Sequence, residues 1–141
     1  MATDEDCKAG KVIAFPGKDR RTGEMSVYLV LITDDSRADE GSLEGVYIEA
    51  VGAEEGLFFG QYKIARYEGD EWKVSLIDDT CVDGRVSDGV HVLDLASTLA
   101  SVSWVDENDA VCEYWDEWVL LTAVEWDILE SELNVYMSDH M

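Results

Sequence analysis

The sequence predicts an α+β fold, in which an antiparallel β-sheet meander is followed by a C-terminal helix. Two observations predict it. Four segments between residues 26 and 78 are rich in β-branched and aromatic residues and are separated by turn residues. Residues 122–137 instead repeat apolar positions at helical spacing. The 141 residues are about the length of one ordinary domain, so the two parts are expected to share one folded unit.

The four strand segments are defined by composition and by their boundaries. Residues 26–33 form an apolar, β-branched run that ends at two Asp residues, and residues 43–51 alternate apolar and polar positions. Residues 57–67 and 71–78 flank a Glu-Gly-Asp connection, which is typical of a β-hairpin. These segments therefore predict an antiparallel meander.

The segments on either side of the meander are less regular. Residues 1–24 combine charge with Pro and Gly, which predicts a flexible tail or, at Val12–Phe15, a short edge strand. The folded domain is accordingly expected to span residues 25–141. Residues 90–95 predict one more strand, and Asp94 can cap one additional short helix.

The C-terminal helix has a clear start. Thr122 can cap it, and Glu125, three residues later, completes a capping-box pattern. Residues 109–121, just before it, fit both a strand and a helix continuous with the last one, and we favour the strand. The helix is expected to present one apolar face, formed by Val124, Ile128, Leu129, Leu133 and Tyr136.

Charge is the most unusual property of the sequence. The chain has 32 Asp and Glu against 10 Lys and Arg, a formal net charge of -22. Every Lys and Arg lies at or before Arg85, whereas Val86–Met141 contains thirteen acidic residues and no basic one. A hydrophobic content of 47%, including 10% aromatic residues, distinguishes the chain from a disordered acidic tail. This asymmetry indicates an acidic interaction surface and disfavours direct binding to nucleic acid or to an anionic membrane.

The acidic residues of this last part recur at a spacing of three and four. On a helix their carboxylates would lie roughly 5–6 Å apart, and on a strand roughly 6.6 Å apart along one side. A rigid row of carboxylates can compete for the cations with which proteins hold DNA phosphates. The alternative is an ordinary solvated helix face. The candidate partner-binding acids are Asp106, Glu107, Asp109, Glu113, Asp116, Glu117, Asp127 and Glu130.

Aromatic residues are interleaved with these carboxylates in residues 113–118. If Tyr114 and Trp115 are exposed, they can hold an Arg side chain of a partner by cation–π and ion-pair contacts. Both therefore join the candidate partner-binding residues. The alternative is that these rings belong to the hydrophobic core.

The motifs of catalysis are absent from the sequence. It contains no phosphate-binding loop, no dinucleotide fingerprint and no nucleophile elbow. The two His and three Cys lack zinc spacing, and no thiol-enzyme signature surrounds Cys81, Cys112 or His91. We therefore expect neither an enzyme nor a bound metal or cofactor. A loose calcium site is a minor alternative, formed by Asp78, Asp79, Asp83 and Asp88.

These observations predict a protein that binds a basic partner, a nucleic-acid-binding enzyme or complex. The leading hypothesis is a DNA mimic from a phage or mobile element, with anti-restriction or anti-CRISPR activity against a nuclease, restriction enzyme or CRISPR complex. One alternative is an immunity protein that neutralises a basic toxin, and another is an ordinary protein of a halophile. The start of the chain lacks a secretion signal and the cysteines resemble reduced thiols, so a cytoplasmic location is expected. Trp-rich surface would also allow a homodimer.

Overall fold

The computed structural model describes residues 6–76, 81–94 and 117–140. They form eight strands and one long helix. In chain order the elements are β1 (Lys11–Asp19), β2 (Met25–Asp34), β3 (Ser42–Gly52), β4 (Gly56–Glu68), β5 (Glu71–Leu76), β6 (Cys81–Gly84), β7 (Val90–Asp94), β8 (Glu117–Val119) and the helix α1 (Ala123–His140).

Strands β1 to β6 form a closed antiparallel barrel. Each strand pairs with the next along the chain, and β6 pairs back onto β1. The α+β class is therefore confirmed in outline, as a mostly antiparallel β structure with a C-terminal helix. The predicted meander is wrong in one respect, because its sheet closes on itself and so removes the open edges that a meander would leave.

Strand β1 closes the barrel, although the sequence indicated a tail or a short edge strand there. Along one edge β1 pairs with β2, and along the other it pairs with β7 through Lys11–Ala14 and with β6 through Gly17–Asp19. Val12–Phe15 are at most 1% exposed. The segment is thus an internal strand. The favourable free energy of burying these four apolar residues outweighs the tendency of the neighbouring charged residues to stay in solvent.

Hydrophobic residues cover both faces of β1 and β2. Ile13 and Val30 point into the barrel, whereas Val12 and Leu31 belong to a second core on the outside of the sheet. A strand that is buried on both faces needs a continuous apolar run rather than strict alternation. The run at residues 26–33 therefore reflects this double burial.

Aromatic rings fill the barrel interior. Phe15 stacks on Trp72 with ring centroids 5.8 Å apart and on Tyr28 at 6.0 Å, and Tyr67 contacts the other side of Trp72 at 5.6 Å. Gly84 on β6 provides the space for Phe15, because a Cβ atom at position 84 would overlap the Phe15 ring. The closed barrel therefore depends on a large residue facing a residue without a side chain.

The predicted β4–β5 hairpin is confirmed. Glu68 pairs with Glu71 across a two-residue turn, and Gly69 adopts a φ of 68°. This left-handed conformation is accessible to Gly at little cost. In the other half of β4, Leu57–Phe59 pair with β3 along one edge and with β8 along the other.

Helix α1 packs on the outer core rather than on the barrel interior. Leu121 and Leu129 are buried there among residues of β1, β2, β3, β4 and β7, and Trp126 and Leu133 pack at its margin. The predicted helix is confirmed, but its predicted apolar face is partly wrong, because Val124 and Ile128 are exposed. The structure also places a strand at 117–119, as favoured for the segment 109–121; residues 109–116 and the expected short helix after Asp94 lie outside the described residues.

Candidate acidic interaction surface

Two of the predicted partner-binding residues lie on α1. Asp127 and Glu130 are both exposed, at positions three residues apart on the helix. Glu117 is the first residue of β8. The remaining predicted residues lie outside the described part of the chain: Asp106, Glu107, Asp109, Glu113, Tyr114, Trp115 and Asp116.

A capping box fixes the start of α1. The Glu125 backbone N–H donates to the Thr122 Oγ1 at 3.1 Å, and the Thr122 N–H donates to the Glu125 Oε1 at 2.9 Å. This reciprocal pair satisfies two backbone donors that have no partner within the helix. It also places the Glu125 carboxylate in the first turn, where the helix dipole favours negative charge. The capping residues therefore fix where the acidic helix begins after β8.

A tryptophan orients one of the predicted acids. The indole Nε1 of Trp126 donates to the Glu130 Oε2 at 2.9 Å, while the ring of Trp126 packs against the outer core. The carboxylate of Glu130 is thus tied to a side chain that the core holds in place. The i, i+4 spacing of Trp126 and Glu130 is a sequence signal for this contact. Trp126 carries no charge, however, and was not among the residues predicted from the charge pattern.

Negative charge on the barrel is partly neutralised by arginines. Arg20 forms an ion pair with Asp83 at 2.6 Å, and Arg37 forms one with Glu40 at 2.8 Å. Arg66 lies 2.6 Å from a carboxylate oxygen of Glu44. Three arginines of this part of the chain are therefore paired with neighbouring carboxylates.

Three exposed carboxylates of α1, those of Asp127, Glu130 and Glu132, have no such ion pairs among the described residues. Ala123–His140 contains five acidic residues and no Lys or Arg. Within the described parts of the chain, no cation forms an ion pair with Asp127, Glu130 or Glu132. The helix therefore carries exposed acids that form no ion pair with a described residue and, unlike the barrel, contains no Lys or Arg of its own. Sequence reasoning did not include Glu132 in this set.

Two apolar stripes run along opposite sides of α1. Successive residues of an α-helix are rotated by about 100°, so positions 126, 129 and 133 lie on one side and positions 124, 128 and 135 on the other. The first stripe packs on the outer core, and it consists of Trp126, Leu129 and Leu133. The second stripe is exposed, and it consists of Val124 (69% exposed), Ile128 (45%) and Val135 (63%). We call the second one the outer stripe.

Carboxylates border the outer stripe on both sides. Asp127 and Glu132 line a shallow groove together with Val124, Ile128 and Ser131. Asp127 precedes Ile128 around the helix by about 100°, and Glu132 lies on the opposite side of the stripe. The surface therefore has an apolar centre and an acidic rim, which is the arrangement of a typical protein–protein contact patch.

A second acidic group lies where β6 meets β1. Asp83, Glu71 and Asp88 line a small cleft together with Arg85. Arg20 occupies one oxygen of Asp83, while the other oxygen, Oδ1, is buried without a hydrogen-bond partner. Asp78 and Asp79 of the minor calcium hypothesis lie outside the described residues. Among the residues described, no three His, Cys, Asp or Glu side chains are grouped so as to hold a metal ion.

Acidic residues also act on the tyrosines at the barrel ends. Burial raises the pKa of Tyr28, and the nearby carboxylates of Asp19 and Glu24 raise it further. Burial likewise raises the pKa of Tyr67, with Asp70 adding to the effect. Both phenols are therefore held in the neutral form, in which the rings pack inside the barrel without a buried charge.

The only long helix in the described residues is too polar to cross a membrane. Comparison of the chain with protein-family models, with curated proteins and with solved structures finds no match.

Proposed function

We propose that this chain is an acidic inhibitor that binds a cationic nucleic-acid-binding protein by imitating nucleic acid. The target class would be a nuclease, a restriction enzyme or a CRISPR complex, met in the cytoplasm of a host cell. One observation carries the proposal. All the Lys and Arg residues precede Val86, and the exposed carboxylates of α1 have no ion pair among the described residues.

The average charge density shows why this separation matters. With a net charge of -22 and an accessible surface of 7731 Å², the chain carries about one net charge per 350 Å². A DNA duplex carries one charge per about 1.7 Å of axis, or roughly one per 110 Å². An even spread would therefore compete poorly with DNA. The negative charge must therefore be concentrated on one face. Three arginines neutralise carboxylates of the barrel, whereas residues 86–141 contain no Lys or Arg, which supports a concentration of negative charge on the C-terminal part.

The physical basis of the competition is the set of Lys and Arg residues in a nucleic-acid cleft. These cations gain affinity for DNA by displacing its counterions. Carboxylates held at helical spacing offer the same cations a rigid alternative, and rigidity limits the entropy lost on binding. The barrel and the outer core supply that rigidity, because α1 is anchored through Leu129 and through the ring of Trp126.

An immunity protein that neutralises a basic toxin is the second candidate. The outer stripe favours it, because an apolar centre supports a specific interface with one cognate protein more than a general imitation of phosphates. The two candidates differ in what competes for the partner. Nucleic acid displaces a mimic from its target, whereas a toxin bound outside its substrate cleft remains bound.

The test is recovery of a partner from a lysate of the native host, followed by competition. The immobilised chain is incubated at about 0.1 M salt and challenged at about 0.5 M, where the Debye length falls from about 10 Å to less than half of that. Recovery of one nucleic-acid enzyme that DNA or RNA displaces supports the mimic. One partner that nucleic acid does not displace supports the immunity protein. Many basic proteins that are all lost in salt would indicate generic acidity, as in a halophile.

A charge-matched pair of variants makes the test specific to the predicted surface. The first variant reverses four predicted partner-binding acids to Lys: Asp116, Glu117, Asp127 and Glu130. The second reverses four exposed acids of the barrel turns: Asp39, Glu54, Glu55 and Asp70. Both change the net charge equally. We expect loss of the partner with the first and retention with the second, and binding that survives the first would contradict the proposal.

A further inference from the structure

The outer stripe of α1 is an exposed apolar surface that belongs to neither hydrophobic core of the described residues. Its three side chains lie opposite to the stripe that packs on the core, so among the described residues only one of the two apolar faces of the helix is buried. Positions 124 to 135 span about 16 Å at 1.5 Å per residue. Val124 and Ile128 are one turn apart and line the same groove, and Val135 lies two turns further along the same side. Exposed apolar side chains grouped on one side of a helix indicate an interaction site more than scattered single residues do.

The rim of the stripe limits the chemistry of its occupant. Asp127 and Glu132 border it on opposite sides, and no Lys or Arg occurs anywhere on α1. A partner that covers the stripe must therefore bring positive charge to both sides of an apolar ridge. A second copy of this chain would instead bring a net charge of -22 and the same carboxylates against their own kind, which opposes association.

We infer that the outer stripe is the docking site for a basic amphipathic helix of a partner protein, with apolar residues on its inner face and Lys or Arg along both sides. An amphipathic helix matches the stripe because it presents apolar positions at i, i+3, i+4 and i+7. The inference deepens the proposed function and rests on it in one respect, that the partner is a cationic protein. It adds that an apolar contact, which salt does not screen, holds the complex together with the ion pairs.

A pair of synthetic peptides separates the apolar contact from charge. The first is a helical peptide of about 18 residues with Leu on one face and Lys on the other, and the second has the same composition in an order that mixes the two. Both are titrated with the whole chain by fluorescence anisotropy at about 0.1 and 0.5 M salt. The first peptide is expected to bind about tenfold more tightly than the second and to keep that advantage in high salt.

Substitutions on the helix assign the contact to the outer stripe. The triple variant V124A/I128A/V135A should lose the tenfold advantage, and Ala keeps the helix intact because it has the highest helix propensity. The variant I128E is the sharper test, because it adds a negative charge to the site. Purely electrostatic binding predicts tighter binding by I128E, whereas an apolar contact predicts weaker binding. Met25→Ala together with Ile64→Ala, at exposed apolar positions outside the helix, serves as the matched control and should change nothing.

The possible outcomes distinguish failure of this inference from failure of the proposed function. Equal affinity for the two peptides, or tighter binding by I128E, overturns the inference. So does a dimer of the chain in analytical ultracentrifugation that the triple Ala variant dissociates, because a second copy would then cover the stripe. Loss of the host partner on charge reversal, without any effect of the triple Ala variant, leaves the proposed function standing and removes this inference. If the peptide binds through the stripe but nucleic acid does not compete for the host partner, this inference stands and the proposed nucleic-acid mimicry is contradicted.

Discussion

The indole nitrogen of Trp126 donates a 2.9 Å hydrogen bond to the carboxylate of Glu130, one turn further along the same helix. The ring of Trp126 packs at the margin of the outer core, so one side chain connects the folded body to an exposed acid. Loss of this bond should affect both stability and the position of the carboxylate.

Replacement of Trp126 by Phe should cost about 0.5–1 kcal/mol in the free energy of unfolding. Phe keeps most of the packing but removes the donor, and the bond is partly exposed to water, which limits its contribution. Urea unfolding of W126F, E130A and the double variant measures the coupling between the two side chains, because Ala removes the accepting oxygen. Additive losses in the double variant would show that the bond contributes nothing.

The capping box should contribute a similar amount. Thr122→Ala removes the oxygen that accepts the Glu125 N–H, and loss of such a cap typically costs about 1 kcal/mol. Thr122→Ser is the matched control, because it keeps the hydroxyl and should leave stability nearly unchanged. Thermal unfolding followed by circular dichroism distinguishes the two. Equal melting temperatures for Ala and Ser at this position would contradict a role for the hydroxyl.

Closure of the barrel should be sensitive to one methyl group. Gly84→Ala places a Cβ atom in the space of the Phe15 ring, and overpacking of a filled interior typically costs about 1–3 kcal/mol. Gly69→Asn is the control, since position 69 has open space around it and a φ of 68° that Asn tolerates. We expect a large loss of stability for the first in urea unfolding and a small one for the second. The opposite order would show that Phe15 can move aside.

The charged carboxylate of Asp34 should stabilise the fold at neutral pH, and this contribution should decrease as the pH falls below about 4. The side chain and the backbone N–H of Ser36 donate to its carboxylate and hold its pKa below the ordinary value of 3.8. Because the folded-state pKa is the lower one, the contribution is present above 3.8 and is lost as the pH falls through the folded-state value. The stability difference between Asp34→Asn and the parent chain in urea unfolding should therefore be largest at pH 7 and become smaller as the pH falls below 3.8. Glu54→Gln is the exposed control, and an undiminished difference for D34N near pH 3 would exclude this mechanism.

Added salt should raise the melting temperature. Repulsion among the unpaired carboxylates opposes the compact state at a net charge of -22, and salt screens it. Reversal of Asp127 and Glu132 to Lys, which leaves the Trp126–Glu130 hydrogen bond in place, should raise the melting temperature at about 0.05 M salt and reduce the further gain at about 0.5 M. A melting temperature that does not respond to salt would show that the paired charges of the barrel dominate. A fold that needs molar salt would instead favour the halophile hypothesis.

Sequence patterns predicted secondary-structure elements correctly where residues close in sequence determine the local structure. The capping box at Thr122, the Glu-Gly-Asp hairpin and the strand at 26–33 depend on neighbours in sequence, and the structure has all three. Closure of the barrel depends on a distant pairing, between Gly17 and Gly84. Nothing near Gly17 in the sequence indicates that partner, so residues 1–24 predict only a tail or, at Val12–Phe15, a short edge strand.

The same limit applies to the candidate surface. Charge and spacing identified Asp127 and Glu130 as exposed acids on a helix, and the structure places them so. The periodicity of α1 could not show which apolar residues face the core, because both stripes repeat at helical spacing. Val124 and Ile128 were therefore assigned to the buried face, whereas packing selects Leu129 and Leu133.

The pairing of β1 also sets the order in which the chain can reach its native state. Its contact with β2 forms between neighbours, but Gly17 must meet Gly84 and Lys11 must meet Asp94. Loop-closure entropy delays pairings between such distant segments, and β-rich topologies fold correspondingly slowly, over milliseconds to seconds. During synthesis the first strand has to wait until residue 94 has left the ribosome. Until then its apolar residues have only the β2 side to cover them, so the N-terminal strand is the part of the nascent chain most exposed to wrong associations.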